Sequence, residues 1–229
     1  VHRYLQAHFR LLPSATTAIH QAISPTRMNE YVRMANGDTE QALRLYLWNA
    51  RICESLYFPM QILEVTVRNA ISEAAEAARG PKWTKHKDIL KQLDPHWMDQ
   101  LRKVRGRINK SGQPVTTDRI IAGITFGFWC HLLAVRFTPI LWKSGIASRF
   151  RHVPSNITQA DILAELDRLS AYRNRIAHHK SMYDKLPEQI LSDIIRVIGY
   201  RCPVSAHYVE ATCPLDSIIA QRPNPADFA

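Results

Sequence analysis

Residues 38–81 read DTEQALRLYLWNARICESLYFPMQILEVTVRNAISEAAEAARGP. Asp38-Thr39-Glu40-Gln41 offers a capping box at the start, since a short polar side chain followed by Glu or Gln satisfies the free amides of a first helical turn. Behind it Ala42, Leu45, Tyr46, Asn49, Ile52, Cys53 and Leu56 recur at helical spacing. Pro59, which has no N–H, is expected to kink or restart the chain. Leu63, Val67, Ala70, Ile71 and Ala74 carry the same stripe onward until Gly80-Pro81 ends it. Forty residues of one helical period, with no stretch of period two, place the chain among helical proteins.

The same punctuation recurs on both sides. Ser24-Pro25 marks a helix start and Asn36-Gly37 its stop. Residues 82–114 read as one or two short helices plus loop, broken at Lys110-Ser-Gly-Gln-Pro114. A hydrophobic helix is expected at about 118–135. Thr158-Gln159-Ala160-Asp161 caps a helix carrying Ile162, Leu166, Leu169 and Ile176, and a last helix is expected at about 187–199, ending at Gly199. No hairpin dipeptide lies between β-branched runs, and there is no internal repeat. The fold class is therefore all-α, an irregular helical bundle. Residues 1–200 are expected to form a single helical domain, with 1–37 an N-terminal helical extension and 38–200 the core. Residues 201–229 hold four of the 13 prolines and are expected to be an irregular tail.

The charge balance is basic: 30 Lys and Arg against 20 Asp and Glu, a formal +10. Such an excess favours polyanionic partners, nucleic acid or an anionic membrane surface. It is concentrated in the middle. Between Lys82 and Lys110 nine Lys and Arg face three acids, and between Arg136 and Arg151 four face none. Lys82, Lys85, Lys87, Arg102, Lys103, Arg105 and Arg107 are the candidate RNA-backbone contacts. Trp83 and Trp97, interleaved with them, are candidates for base stacking. Cys53, Cys130, Cys202 and Cys213 are scattered without a C-x-x-C pair, which suits reduced thiols in a cytosolic protein. Cys202, His207 and Cys213 match no common zinc spacing and lack a fourth ligand, so no metal and no cofactor is expected. The longest uncharged run, Ile120–Val135, is too short to span a bilayer, and the opening VHRYLQAHFR has no apolar core of the signal-peptide kind.

Residues 171–180, AYRNRIAHHK, carry the chemistry. Arg173 supplies a fixed cationic fork for phosphate oxygens, and His178 can move a proton near neutral pH. Asn174 beside the arginine can orient either. RNA carries its own nucleophile in the 2′-hydroxyl. Cleavage needs that proton removed, the phosphorane stabilised and the departing 5′-oxygen protonated, leaving a 2′,3′-cyclic phosphate without any metal. On a continuous helix, however, positions five apart differ by about 140°. Arg173 and His178 then act together only if the helix ends or bends near Ala177, if the long Arg side chain swings round, or if the site is shared between subunits. A symmetric dimer, bringing two Arg and two His to its axis, is the favoured solution. Arg175 and His179, four apart, would share a face, although a solvated Arg175 fits equally. One of His178 and His179 is expected to serve the helix C-terminus. Glu64, Arg68 and Asn69 sit on an apolar segment as a supporting set, with Glu64 and Arg68 spaced as an i,i+4 ion pair.

Three ordered segments carry a resemblance. LEVTVRNAI (Leu63–Ile71), DRIIAGITFGFWCHLL (Asp118–Leu133) followed by Leu141-Trp142, and RNRIAHH (Arg173–His179) resemble the blocks of the Abi-like abortive-infection family, within the HEPN superfamily. The resemblance covers roughly residues 38–200. It implies a helical HEPN fold that dimerises, with a metal-independent RNase site in the dimer cleft, Arg173 and His178 as the catalytic pair and Asn174 as the polar neighbour. It also implies a setting in phage defence or toxin–antitoxin control, RNA as substrate, and an antitoxin or non-coding RNA as a partner. The alternative is a catalytically silent HEPN protein acting as an RNA-binding or protein-interaction module. Family members often continue His-His-Glu-Pro, where this chain has Lys180-Ser181.

Overall fold

The computed structural model describes residues 13–223; parts of the N-terminal extension and of the tail thus lie outside the described residues. Among those described, every regular element is helical. In chain order they are α1 (Pro13–Ile23), α2 (Pro25–Met34), α3 (Thr39–Arg79), a 3₁₀ turn (Trp83–Lys85), α4 (Lys87–Leu90) and α5 (Pro95–Lys110). Then come α6 (Thr117–Gly123), α7 (Phe126–His131), a 3₁₀ turn (Val135–Phe137), a π-helical stretch (Thr138–Ile146) and α8 (Ala147–Arg149). The chain continues through α9 (Gln159–Ala177), α10 (Pro187–Arg201), α11 (Pro203–Thr212) and α12 (Leu215–Ile219).

The termini follow the sequence closely because the capping chemistry is local. Thr158 and Asp161 bond reciprocally, the Thr158 N–H and hydroxyl donating to the Asp161 carboxylate while Thr158 Oγ1 accepts from the Asp161 N–H. Asn36 adopts φ 51°, and the Gly37 N–H reaches the Val32 carbonyl, a Schellman end for α2.

Three expectations change. The chain does not restart at Pro59; α3 runs through it. Proline leaves the Ser55 carbonyl without its usual helical donor, and the Cys213 thiol donates to that carbonyl at 3.4 Å. The helix expected at 118–135 is broken at Ile124 and Thr125. Gly123 is pressed against Val104, so closely that a Cβ there would lie 2.8 Å from a valine methyl, and the chain turns before Phe126. Nor is the stretch after 201 irregular as far as it is described. Pro203 opens α11 and Pro214 caps α12; both prolines sit where a helix begins, where a missing N–H costs nothing.

By its contacts the chain divides into two units, and three of the four borders fall inside helices. One comprises 1–58, 175–190 and 213–229, the other 59–174 and 191–212. The first packs Met28 and Tyr31 of α2 with Ala42, Leu45, Trp48, Ile52 and Leu56 of α3, Met182 and Leu215. Tyr31 meets Tyr46 and Tyr183 edge-on, with ring centroids 5.3 and 5.8 Å apart. The Trp48 indole N–H donates to the Ile218 carbonyl at 2.7 Å, tying α12 to α3.

The second unit surrounds the other half of α3. Leu63, Val67, Ala70, Ile71 and Ala74 are fully buried, as are Ile162, Leu166 and Leu169 of α9 and Ile194, Val197 and Ile198 of α10. Gly145, in the π-helical stretch, lies against Ala74, where a Cβ would come within 3.0 Å of the alanine Cβ. The buried Asp193 accepts from Arg168 at 2.6 Å and Arg196 at 2.7 Å, bracing α9 against α10.

Candidate functional site

Helix α9 delivers the Arg-Asn-x-x-x-His segment, and its C-terminus decides how that segment is presented. The helix ends at Ala177. His179 turns to φ 54°, its N–H bonding the Ile176 carbonyl and the Lys180 N–H the Arg175 carbonyl. That is a Schellman cap with His179 at the position glycine usually holds. His178 lies in the cap between Ala177 and the left-handed His179 and is exposed. His179→Gly removes the left-handed strain of a non-glycine residue, and is expected to raise stability by about 1 kcal/mol in thermal unfolding.

Arg173 and Asn174 belong to the second unit. The Arg173 guanidinium lies 3.4 Å from the Glu64 carboxylate and also donates to Asn174 Oδ1 at 3.4 Å. Glu64 thus braces Arg173 across two helices. It does not form the i,i+4 pair with Arg68 expected from spacing, and the Arg68 Nε–H instead donates to Asn69 at 3.3 Å. The cause is tertiary: α9 sets a second guanidinium beside Glu64. Both partners are partly exposed, so the pair orients the arginine more than it stabilises the fold.

His178, His179 and Arg175 belong to the first unit, where a cleft of about 610 Å³ opens. Its wall includes Ser24, Thr26 and Arg27 of the α2 start, Glu30, Arg175, and His179 to Ser181. Arg175 is no solvated residue; it donates to the Ser181 carbonyl at 2.7 Å. Arg27 donates to the His179 carbonyl at 2.6 Å, and Glu30 accepts from the Tyr183 hydroxyl at 2.9 Å and the Ser181 hydroxyl at 3.4 Å. Burial raises the Tyr31 and Tyr183 phenols above their ordinary values, with the Glu30 charge adding to the effect, so both stay protonated donors. From α3, Asn49 Oδ1 accepts the buried Met182 N–H at 2.7 Å. Asn49→Leu keeps the branched shape but strands that amide, and is expected to cost about 1–3 kcal/mol in urea unfolding. Beside it the Cys53 thiol is pushed up to about 11 by burial and remains protonated.

The basic stretch 82–110 separates into two populations. Lys82, Lys85, Lys87, Arg102, Lys103 and Arg107 are exposed. Arg105 is not available in the same way, because it is partly buried and donates to the Thr84 carbonyl at 2.6 Å. Trp83 is not a stacking platform, while Trp97 is partly exposed. Trp83 is 1 % exposed and meets Trp129 edge-on at 5.9 Å. Trp97 stacks on His131 at 5.4 Å and fills the space over Gly127. Apolar burial is the role of the Trp83 ring. Among the described residues no three His, Cys, Asp or Glu side chains gather as a metal-ligand set, and no helix is long and apolar enough to cross a membrane.

Arg27, Asn49, Lys180 and Lys185 are the residues that sequence reasoning passed over. Ser24-Pro25 signalled a helix start, but nothing in the order of residues says that this start lies beside the α9 cap. The chain matches no protein-family model, no curated protein and no solved structure.

Proposed function

We propose that this protein is a metal-independent endoribonuclease of the abortive-infection or toxin–antitoxin kind, cleaving RNA by 2′-hydroxyl transesterification at a composite site in a homodimer. The observation that carries the proposal is the end of α9: an exposed histidine in a helix cap, five residues after an arginine whose guanidinium a carboxylate orients. His178 takes the proton of the 2′-hydroxyl or returns one to the 5′-oxygen. Arg173 stabilises the phosphorane oxygens, with Glu64 and Asn174 fixing its direction. The exposed Lys82, Lys85, Lys87, Arg102, Lys103 and Arg107 supply sequence-independent attraction to the RNA backbone. The test is incubation with RNA in EDTA, with end-group analysis for 2′,3′-cyclic phosphates. Cleavage by the wild type that Arg173→Ala and His178→Ala abolish supports the proposal; equal cleavage by all three refutes it.

A second reading has its own observation. The Arg173 fork is already engaged by Glu64 and Asn174, which suits a catalytically silent module that binds RNA or a protein partner. Salt-dependent RNA binding without any cyclic-phosphate product would favour it.

A further inference from the structure

The cleft of the first unit has a composition that the cleavage chemistry does not use. Arg27, Arg175, Lys180 and Lys185 line it against two carboxylates, Glu30 and Asp184. Both carboxylates are occupied: Glu30 by the Tyr183 and Ser181 hydroxyls, Asp184 by Lys185 at 2.5 Å. The arginines spend only part of their capacity on backbone carbonyls. Arg27 donates one bond to His179 and Arg175 grips the Ser181 carbonyl, while the buried Arg175 Nε finds no partner among the described residues. Lys180 is exposed and pairs with no described side chain.

The α2 N-terminus enters the same cleft. Ser24 occupies the N-cap position without a side-chain capping bond, and Pro25 follows it. The Arg27 and Met28 amides reach the Ser24 carbonyl, while the Thr26 amide precedes the first of those bonds. Ser24 and Thr26 both line the cleft. A ten-residue helix presenting its start beside Arg27, Arg175 and Lys180, with Lys185 held by Asp184, is a site for a phosphate oxygen set. The volume, about 610 Å³, exceeds what a phosphate alone needs and suits a whole nucleotide.

We infer that this cleft is a phosphate-binding subsite that holds one nucleotide of an RNA strand, with Lys180, Arg27 and the α2 start as the anion contacts. The inference rests on RNA being the substrate class, as proposed above, but not on cleavage taking place. It assigns α2 a binding role and gives Lys180, in the cap just after His178 and His179, a place on the strand.

The probe is a fluorescently labelled 2′-O-methyl oligoribonucleotide, which cannot be cleaved because it lacks the attacking hydroxyl. Its affinity is read by anisotropy across a salt series. Lys180→Glu is expected to weaken binding about tenfold or more, and Lys180→Ala to lower the salt slope by ~0.7, the contribution of one phosphate contact on a single strand. Lys180→Arg should retain affinity, and Asp184→Asn, which releases Lys185, should tighten it. Lys180 is exposed, so these changes do not threaten folding. Hydrogen exchange on the full chain supplies the local readout: bound strand should protect peptides covering 24–31 and 179–185. Equal affinity of wild type and Lys180→Glu, absence of protection in those peptides, or no binding by the wild type would each overturn the inference. Ribo-oligonucleotide cleavage is scored separately. Cleavage that persists with a Lys180-independent affinity sinks the cleft alone. Lys180-dependent binding with no cleavage sinks the nuclease alone.

Discussion

His178→Ala is expected to lower RNA cleavage by about 10²–10⁴-fold, the usual contribution of a positioned general acid or base. The residue is exposed and lies in the cap beyond Ala177, so its removal takes away chemistry and not core packing. Unchanged unfolding midpoints alongside lost cleavage would make that distinction. Arg173→Ala is expected to cost about 10²–10³-fold through lost stabilisation of the phosphorane charge. It leaves Glu64 without its partner at 3.4 Å, a small cost for a partly exposed pair. Arg173→Lys keeps the charge but not the planar fork, and should recover only part of the activity. Mixing the two inactive variants tests the dimer. If Arg173 of one subunit works with His178 of the other, random exchange gives half heterodimers with one intact site each, and about a quarter of wild-type activity returns. A mixture as inactive as its components would place the pair within one chain and remove the composite site.

The second large effect is structural. Trp83→Ala should destabilise the protein by about 3–5 kcal/mol in urea unfolding, because a ring that is 1 % exposed leaves a cavity beside Trp129. Trp83→Phe should cost distinctly less. The Trp83 Nε1 has no hydrogen-bond partner among the described residues, so the smaller ring gives up volume but also removes a stranded donor. A loss below 1 kcal/mol for Trp83→Ala would show that the indole does not anchor the second unit. RNA affinity serves as a check on the same residue. Folded Trp83→Phe should bind as the wild type does, since the ring is buried and unable to stack on a base.

The helical class and several helix ends were legible in the order of residues, because both depend on groups within one turn. Thr158 with Asp161 and Asn36 with Gly37 formed the caps their spacing implied. The failures share one cause: a signal that local context leaves ambiguous. Pro59 was read as a kink or a restart, and it sits inside a continuous helix whose freed carbonyl finds a thiol 158 positions away. Pro203 and Pro214 were read as marks of irregular chain and turned out to begin helices. Trp83 looked like a stacking ring because lysines surround it in sequence, while its burial depends on what packs above it in space.

Sequence alone determined the helical period, the caps, the basic excess and the Arg-Asn-x-x-x-His segment at the end of α9. All of these follow from residues within a few positions of one another or from composition. Tertiary structure decided what those residues meet. It gave Glu64 to Arg173 in place of Arg68, which bonds Asn69 instead. It joined Arg27 to the α9 cap across 152 positions and closed Asn49 on Met182 across 133. Such pairings cost chain entropy that only a packed core offsets, so the cleft beside Lys180 exists in the fold and in no segment of the sequence.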